Sequence, residues 1–173
     1  MNEFTSTKRI HLRKFRKEQV ELLYQLNGDP EVMKYITPGK TMTYNEVKLR
    51  SIPRIMKSYS NGKDFGIFPA YLKRTENYIG WFQYEPDSYI NDAVEIGWRL
   101  KRDFWGHGYA TEVAKALVKK GQDMGKLIVA RAMIDNKASI RVMEKAGLKF
   151  AEKFWGEYEP HSDKPDVRYE LKT

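Results

Sequence analysis

The sequence predicts an α/β (α+β) protein with a mixed, mostly antiparallel central sheet of six to seven strands flanked by helices. Two strand-like segments, Phe65 to Leu72 and Tyr78 to Tyr84, are separated by a short polar turn, which is typical of an antiparallel hairpin. From Ala93 onward the order becomes strand, helix, strand, helix, and such a crossover makes the two strands parallel. The length favours one domain over residues 1–173.

The first third of the chain is predicted to form one strand followed by helices. Residues Lys8 to Phe15 alternate between apolar and polar, and Arg16 to Asn27 carry leucines at helical spacing. Thr43 and Glu46 fit a capping box at the start of a further helix. Pro53 allows that helix only with a kink or a restart.

The second half of the chain is predicted to complete the sheet around two helices. A helix from Tyr109 to Gln122 and a shorter one from Lys137 to Ala146 separate the strands. The strands predicted here are Ala93 to Leu100, Leu127 to Ile134, Leu148 to Lys153 and Val167 to Leu171.

Composition excludes several classes of protein. Cysteine is absent, so there is no disulfide, no thiolate metal site and no cysteine nucleophile. Residues Met1 to Arg13 lack the apolar core of a signal peptide, and no apolar run approaches the roughly 20 residues that cross a bilayer. We therefore expect a cytoplasmic protein without a membrane partner.

The chain is basic, with 31 Lys and Arg against 23 Asp and Glu, a net charge of +8. An anionic cofactor, an acidic partner or a nucleic acid would each suit this charge. Because the basic residues are scattered, the sequence favours the anionic cofactor over direct nucleic-acid binding. His11 and His161 are isolated from carboxylates, so no metal site is expected.

The stretch from Trp105 to Glu112 lies between a predicted strand and a predicted helix and contains Gly106 and Gly108. Amides at a helix N-terminus are unpaired and the helix dipole is positive there, so such a turn can bind phosphate. A tight turn needs glycine even without a ligand, and the stretch matches neither the P-loop nor, at Thr111, the dinucleotide fingerprint. We interpret it as a pyrophosphate-binding turn of another kind.

A second segment, Asn136 to Leu148, reads by itself as an amphipathic helix with Asn136 as its N-cap. Together the two segments resemble the GCN5-related N-acetyltransferase (GNAT) superfamily, in particular its RimJ/RimL-like ribosomal-protein branch. The acetyl-coenzyme A motif of that family, Gln/Arg-x-x-Gly-x-Gly/Ala, corresponds to Trp105 through Ala110. Glu95 to Leu100 is similar to the family's fourth strand. Further matches are Lys8 to Leu12, Asp29 to Ile36, Tyr78 to Trp81 and Arg168 to Leu171.

The resemblance implies the GNAT fold, with the sheet splayed between its fourth and fifth strands, and acetyl-CoA as cosubstrate. His107 is open to two interpretations, a phosphate contact or a solvent-facing loop residue, and Asn136 to a contact with the pantetheine arm or a plain N-cap. The implied cofactor-binding residues are Trp98, Arg99, Leu100, Trp105, Gly106, His107, Gly108, Tyr109, Ala110, Thr111, Asn136, Ser139 and Arg141.

Two residues are candidates for catalysis. Glu95 lies in an otherwise apolar strand, and we expect it to act through water as the base for the acceptor amine; the alternative is a carboxylate on the polar face of a half-exposed strand. Ser139 is expected to contact the departing sulfur. Met143 stands where many relatives carry a tyrosine acid, so the chemistry must proceed without that group.

The implied reaction is direct transfer of an acetyl group to a primary amine, either a protein N-terminus, for example of a ribosomal protein, or a small amine. The alternatives are a non-catalytic acyl-CoA sensor and a basic RNA-associated protein. The acceptor is expected to meet the segments Val32 to Tyr44, Tyr84 to Ile90 and Phe154 to Asp166. A homodimer would suit the family, and the sequence leaves the oligomeric state open.

Overall fold

Within the described part of the chain, eight strands form one continuous sheet in the order β1-β2-β3-β4-β5-β6-β8-β7. The structure is a computed structural model that describes residues 3–37, 39–156 and 163–172. The strands are β1 (Glu3–Ser6), β2 (Ile10–Arg13), β3 (Gly66–Leu72), β4 (Tyr78–Pro86), β5 (Ala93–Leu100), β6 (Leu127–Met133), β7 (Lys149–Phe154) and β8 (Asp166–Leu171).

The helices fall into two groups, one before β3 and one after β5. A π-helical segment (Val47–Ser51) joins the third and fourth helices, and single 3₁₀ turns occupy Tyr59–Asn61 and Arg102–Phe104. The helices are α1 (Val20–Asn27), α2 (Pro30–Met33), α3 (Tyr44–Glu46), α4 (Ile52–Ser58), α5 (Tyr109–Asp123) and α6 (Lys137–Lys145).

One pair of neighbouring strands, β5 and β6, is parallel, and the other pairs are antiparallel. This parallel pairing joins Ala93 to Leu127 and ends at Glu95 and Val129, although β5 continues to Leu100. The two strands therefore separate beyond Glu95. The hairpin of β3 and β4, the parallel pair and the splay are confirmed as predicted.

The sheet has a hydrophobic core on each face. On β4, Ile79 and Phe82 belong to the core that α5 and α6 cover, whereas Tyr78 and Trp81 pack with the core beneath α1 and α4. Successive strand residues point to opposite faces, so one strand serves both cores. Each large apolar side chain buried in this way contributes about 1.5–3 kcal/mol.

Pro53 lies in a helical stretch that continues through a π-helical segment without a restart. Thr43 and Glu46 form the capping box, and the backbone then widens into the π-helical segment before α4 begins at Ile52. A proline lacks the amide hydrogen that a helix interior requires, and π-bulges are one of the ways in which helices accommodate such a break. This arrangement places Arg54 of α4 at the wall of a cavity that lies over β4, β5 and β6.

Apart from shifts of one or two residues at the ends of strands and helices, two features differ from the sequence prediction. The expected six to seven strands number eight, because the four-residue β1 pairs with β2 at the sheet edge. The first helix begins at Val20 rather than Arg16, because residues 17–19 form a turn. Among the described residues, no helix is long and apolar enough to cross a membrane.

Candidate active site

Two cavities meet where β5 and β6 part. The larger, about 640 Å³, lies between the end of β5, the start of α5 and the first turns of α6; the smaller, about 400 Å³, lies over β4, β5 and β6 on the α1–α4 side. Four residues line both cavities, so the two cavities are direct neighbours at this shared wall. The shared residues are Tyr35, Ile36, Arg131 and Ala132.

The larger cavity brings together twelve of the predicted site residues, including both glycines of the phosphate turn. Glu95 lines the smaller cavity instead, and His107 lines neither cavity. The twelve are Trp98, Arg99, Leu100, Trp105, Gly106, Gly108, Tyr109, Ala110, Thr111, Asn136, Ser139 and Arg141.

Gly106 and Gly108 shape the turn at the base of the larger cavity. Their φ angles are +77° and +76°, in the left-handed region that side chains other than glycine rarely adopt. Gly108 is the N-cap of the 15-residue α5, and no side chain caps that helix. The first amides of α5 and the positive end of its dipole therefore face the cavity, as anion binding requires.

A network that sequence reasoning missed holds this turn in place. Arg9 pairs with Glu112 at 2.6 Å, donates from Nη1 to the His107 carbonyl oxygen at 3.1 Å and lies 4.5 Å over the Tyr109 ring. Thr7 donates to Glu112 at 2.6 Å. Between 98 and 105 residues separate these partners, and no local pattern links them, which explains the omission.

His107 contributes to the turn through its backbone. Its carbonyl accepts the Arg9 hydrogen bond, and its ring lies 5.5 Å from that of Tyr109. Since its side chain is not part of the described cavity wall, the geometry favours the loop interpretation over a phosphate contact.

Trp105 links the turn to β5. Its indole Nε1 donates to the carbonyl oxygen of Leu100 at 2.9 Å, while the rest of the side chain is half exposed. The side chain at the first motif position therefore fixes the turn relative to the strand.

The helix α6 brings polar groups to the opposite wall. Asn136 accepts a hydrogen bond from the Ser139 amide at 3.1 Å, so the predicted N-cap is confirmed. Asn136, Ser139 and Arg141 all line the larger cavity. Met143 is 1% exposed and packs in the core, so no acid replaces the missing tyrosine at this position.

Arg99 has an unusual environment for a cation. Its Nη1 donates to Asn27 Oδ1, its guanidinium lies 5.0 Å over the Trp81 ring, and no ion pair involves it within the described part of the chain. Burial lowers the pKa of Arg99 to about 10, which leaves the group charged at neutral pH. It faces α1, whereas Trp98 and Leu100 face the core under α5.

Glu95 sits at the end of the parallel pairing with both carboxylate oxygens engaged. Arg131 Nη1 is 3.1 Å from Oε1, and Gln83 Nε2 donates to Oε2 at 3.1 Å. Burial raises the pKa of Glu95, the charges of Asp87 and Glu85 act in the same direction, and Arg131 opposes them. The carboxylate therefore accepts a proton more readily than an exposed glutamate does.

The smaller cavity is lined by the three segments predicted to meet the acceptor. Aromatic side chains Tyr35, Tyr89, Phe154 and Trp155 stand around it. It also contains three cations and three carboxylates, which are Arg54, Arg131, Lys164, Glu85, Glu95 and Asp166. The predicted acceptor residues Glu157, Tyr158 and Glu159 lie outside the described residues.

Asp166 differs from the other carboxylates of this cavity. Glu85 pairs with Arg54 at 3.3 Å and Glu95 pairs with Arg131, but the Asp166 side chain has neither an ion pair nor a hydrogen bond with any described residue. Burial raises the pKa of Asp166. Over the described ranges, no group of three or more His, Asp or Glu side chains could hold a metal ion.

An uncapped helix start behind a glycine turn and a cavity lined by charged and aromatic side chains meet where two parallel strands part, an arrangement typical of a transferase with two substrates. The sequence matches the acetyltransferase (GNAT) domain family over residues 9–149, and the chain belongs to that family. The resemblance to the GNAT superfamily drawn from the motifs is confirmed. The enzyme is an acetyl-CoA-dependent N-acetyltransferase.

Relatives and solved structures agree with this assignment. FsC-acetyl coenzyme A-N(2)-transacetylase of Aspergillus fumigatus is 29% identical over 177 residues, covering 95% of this chain and 74% of that protein. A GNAT-family acetyltransferase structure from Bacillus anthracis is 27% identical, with a TM-score of 0.79 and 96% of each chain covered. RimL, a ribosomal L7/L12 α-N-protein acetyltransferase in complex with coenzyme A, shares the fold at a TM-score of 0.81 and 17% identity, covering 99% and 98% of the chains.

Proposed function

We propose that the enzyme transfers an acetyl group from acetyl-CoA to a primary amine by direct attack while both substrates are bound. The observation that carries this proposal is the wall shared by the two cavities, with the phosphate turn on one side and Glu95 on the other. Holding two reactants in contact can lower a barrier by about 7–11 kcal/mol. The absence of cysteine agrees with a route that needs no thiol nucleophile on the enzyme.

The larger cavity fits coenzyme A. Backbone amides from Gly106 to Ala110 and the uncapped start of α5 suit a diphosphate, and Arg141 adds a cation at the wall. Asn136 uses its carbonyl oxygen as the N-cap and is proposed to contact the pantetheine arm as well. Bound acetyl-CoA supplies the thioester, and these residues hold and orient it.

Glu95 is proposed to receive the proton of the acceptor amine. An α-amine titrates near pH 8 and a lysine amine near 10.4, so either must lose a proton before it attacks. A proton passing from the ammonium through one water to Glu95 leaves a neutral amine and a carboxylic acid. The burial that raises the pKa of Glu95 makes it a better proton acceptor at neutral pH.

Ser139 is proposed to contact the sulfur of the departing thiol. It lines the larger cavity and its amide is fixed by Asn136, which orients the first turn of α6. Since a thiol titrates near 8.5, the thiolate is a fair leaving group and a strong acid is not required. This agrees with the buried position of Met143.

The acceptor is proposed to be a cationic amine, either a protein N-terminus or a small molecule. The unpaired Asp166 and the aromatic side chains around it suit an ammonium group. The protein-terminus option draws on the shared fold with RimL, whose name gives a ribosomal-protein substrate. The cytoplasmic location and a homodimer stay predictions.

A thiol-release screen tests the proposal. Purified enzyme with acetyl-CoA would be offered free amines, polyamines, aminoglycosides and short peptides with different N-termini, and free coenzyme A would be measured. We expect release that depends on at least one amine class. Coenzyme A binding without thiol release from any amine would contradict catalysis and favour an acyl-CoA sensor.

A further inference from the structure

The structure places an ionic chain across the point at which β5 and β6 separate. Arg131 Nη1 lies 2.5 Å from Asp87 Oδ2 and 3.1 Å from Glu95 Oε1, and Nη2 lies 3.2 Å from Asp87 Oδ1. Arg131 is two residues beyond Val129, the last β6 residue that pairs with β5. One guanidinium therefore bridges two carboxylates at the wall between the cavities.

Asp87 is the fixed end of this chain. Its side chain is 0% exposed, and it accepts backbone hydrogen bonds from Tyr89 at 2.9 Å and from Ile90 at 2.7 Å in addition to both bonds from Arg131. The Arg131 side chain is 14% exposed, and its guanidinium carbon lies 5.1 Å from the centre of the Tyr89 ring. Arg131 is thus fixed mainly by Asp87, with two hydrogen bonds to that carboxylate and one contact with Glu95.

We propose that Asp87 and Arg131 are positioning residues that fix the Glu95 carboxylate at the junction of the two cavities and keep it able to take up the acceptor's proton. The proposal rests on the role given to Glu95 above. Arg131 contacts Glu95 Oε1 and Gln83 donates to Glu95 Oε2. Because a carboxylate can accept about four hydrogen bonds, Glu95 can still accept one from a water.

The two carboxylates that share Arg131 differ in their tendency to hold a proton. Burial alone would raise the pKa of Asp87, but the hydrogen bonds from Arg131, Tyr89 and Ile90 outweigh it and lower the pKa. The pKa of Glu95 is raised. Asp87 is therefore the carboxylate that stays ionised beside Arg131, and Glu95 is the one of the pair that exchanges a proton more readily.

The other charged groups near Glu95 are largely engaged with one another. Arg54 of α4 pairs with Glu85 of β4, and Lys164 pairs with Asp135 away from the β5–β6 junction. Asp166 of β8 lines the same cavity without an ion pair among the described side chains. Arg131 is thus the cation that contacts Glu95, and changes at Asp87 or Arg131 should move the titration of Glu95 directly.

The test is a carboxyl ¹³C NMR titration of Glu95, with its signal identified by its loss in Glu95→Gln. In Asp87→Asn the full Arg131 charge faces Glu95, so the midpoint should fall by about one pH unit or more. In Arg131→Lys the ammonium stays with Asp87 and releases Glu95, so the midpoint should rise. Opposite shifts are the signature of positioning, because general loosening would move both variants the same way.

The matched control is Arg168→Lys. Arg168 lies directly opposite Arg131 in the β6–β8 register, is 15% exposed, and bridges Glu152 at 3.1 Å and Glu170 at 2.7 Å, but it lines neither cavity. The Glu95 midpoint should be unchanged in this variant. If Asp87→Asn does not fold because the Asp87 side chain is buried, the Glu95 midpoint in Arg131→Lys, compared with that in Arg168→Lys, tests the inference by itself.

The outcomes separate this inference from the proposed function. Unchanged Glu95 midpoints in Asp87→Asn and Arg131→Lys would overturn the inference whatever the activity. If the midpoints shift but Glu95→Gln keeps full turnover, the base role fails and the positioning has no catalytic purpose. Opposite midpoint shifts, with reduced turnover in both variants and wild-type coenzyme A affinity by calorimetry, would support the inference.

Discussion

The two cavities that meet at the β5–β6 junction differ in the groups that line them: one has the backbone of a turn, the other mainly charged side chains. The larger one includes the backbone of a single turn, in which Gly106 and Gly108 hold left-handed conformations and α5 begins without a side-chain cap, and we propose that this backbone is its main recognition element. The smaller one depends on charged side chains contributed by α4, β4, β5, β6 and β8. Binding in the larger cavity should therefore be sensitive to backbone conformation, and binding in the smaller one to individual charges.

The largest expected effect is a loss of turnover on substitution of Glu95, which lines the smaller cavity. Glu95→Gln should lower turnover at neutral pH by about 10²–10⁴-fold, the usual contribution of a general base, and by less at high pH, where the amine is already neutral. Coenzyme A affinity should not change. The measurement is kcat against pH.

Glu85→Gln is the matched control, since Glu85 lines the same cavity but pairs with Arg54 and does not contact Arg131. It should retain most of the activity. Equal rates for Glu95→Gln and the wild type across the pH range would remove Glu95 from the chemistry.

On the coenzyme side, Gly106→Ala should weaken coenzyme A binding by about tenfold, because a side chain in the left-handed region costs about 1–2 kcal/mol and shifts the turn. Calorimetric titration measures this. Gly125→Ala is the control: Gly125 has a φ of +66°, and, as at Gly106, an added Cβ would meet nothing within 4 Å. Both variants should lose similar stability; equal coenzyme A affinities in the two would argue against backbone recognition.

A smaller effect is expected from Asp166→Asn, which should raise KM for cationic acceptors by about fivefold, as for one charged contact near the surface, without changing coenzyme A affinity. Because burial raises the pKa of Asp166, the carboxylate is lost on acidification earlier than an exposed one, so the KM of the wild type should rise as pH falls. Steady-state kinetics with one acceptor and Asp163→Asn as control checks this. An unaltered KM would show that the acceptor does not use Asp166.

The smallest effect is expected from Ser139→Ala, a loss of a few-fold in kcat, because the departing thiolate needs little assistance. Single-turnover rates with a poor acceptor, where acetyl transfer is slow, would reveal it best. Full activity under those conditions would exclude the sulfur contact.

The difference between the cavities also explains what could be predicted from sequence. The phosphate turn consists of consecutive residues, and so does the helix start capped by Asn136. Backbone geometry restricts which residues can stand at these positions, so a local pattern identifies each of them. The contacts among Asp87, Arg131 and Glu95 span up to 44 residues and depend on how the strands separate. The same holds for Arg9 at the phosphate turn, since a salt bridge between distant residues has no local signature.

The most direct test of the account is a crystal structure of the enzyme with coenzyme A. We expect the diphosphate on the main-chain amides of residues 106–110 and the thiol at the wall shared with Arg131, within reach of the cavity that holds Glu95. A diphosphate bound away from this turn, or a thiol that points away from the shared wall, would contradict the proposed geometry of transfer.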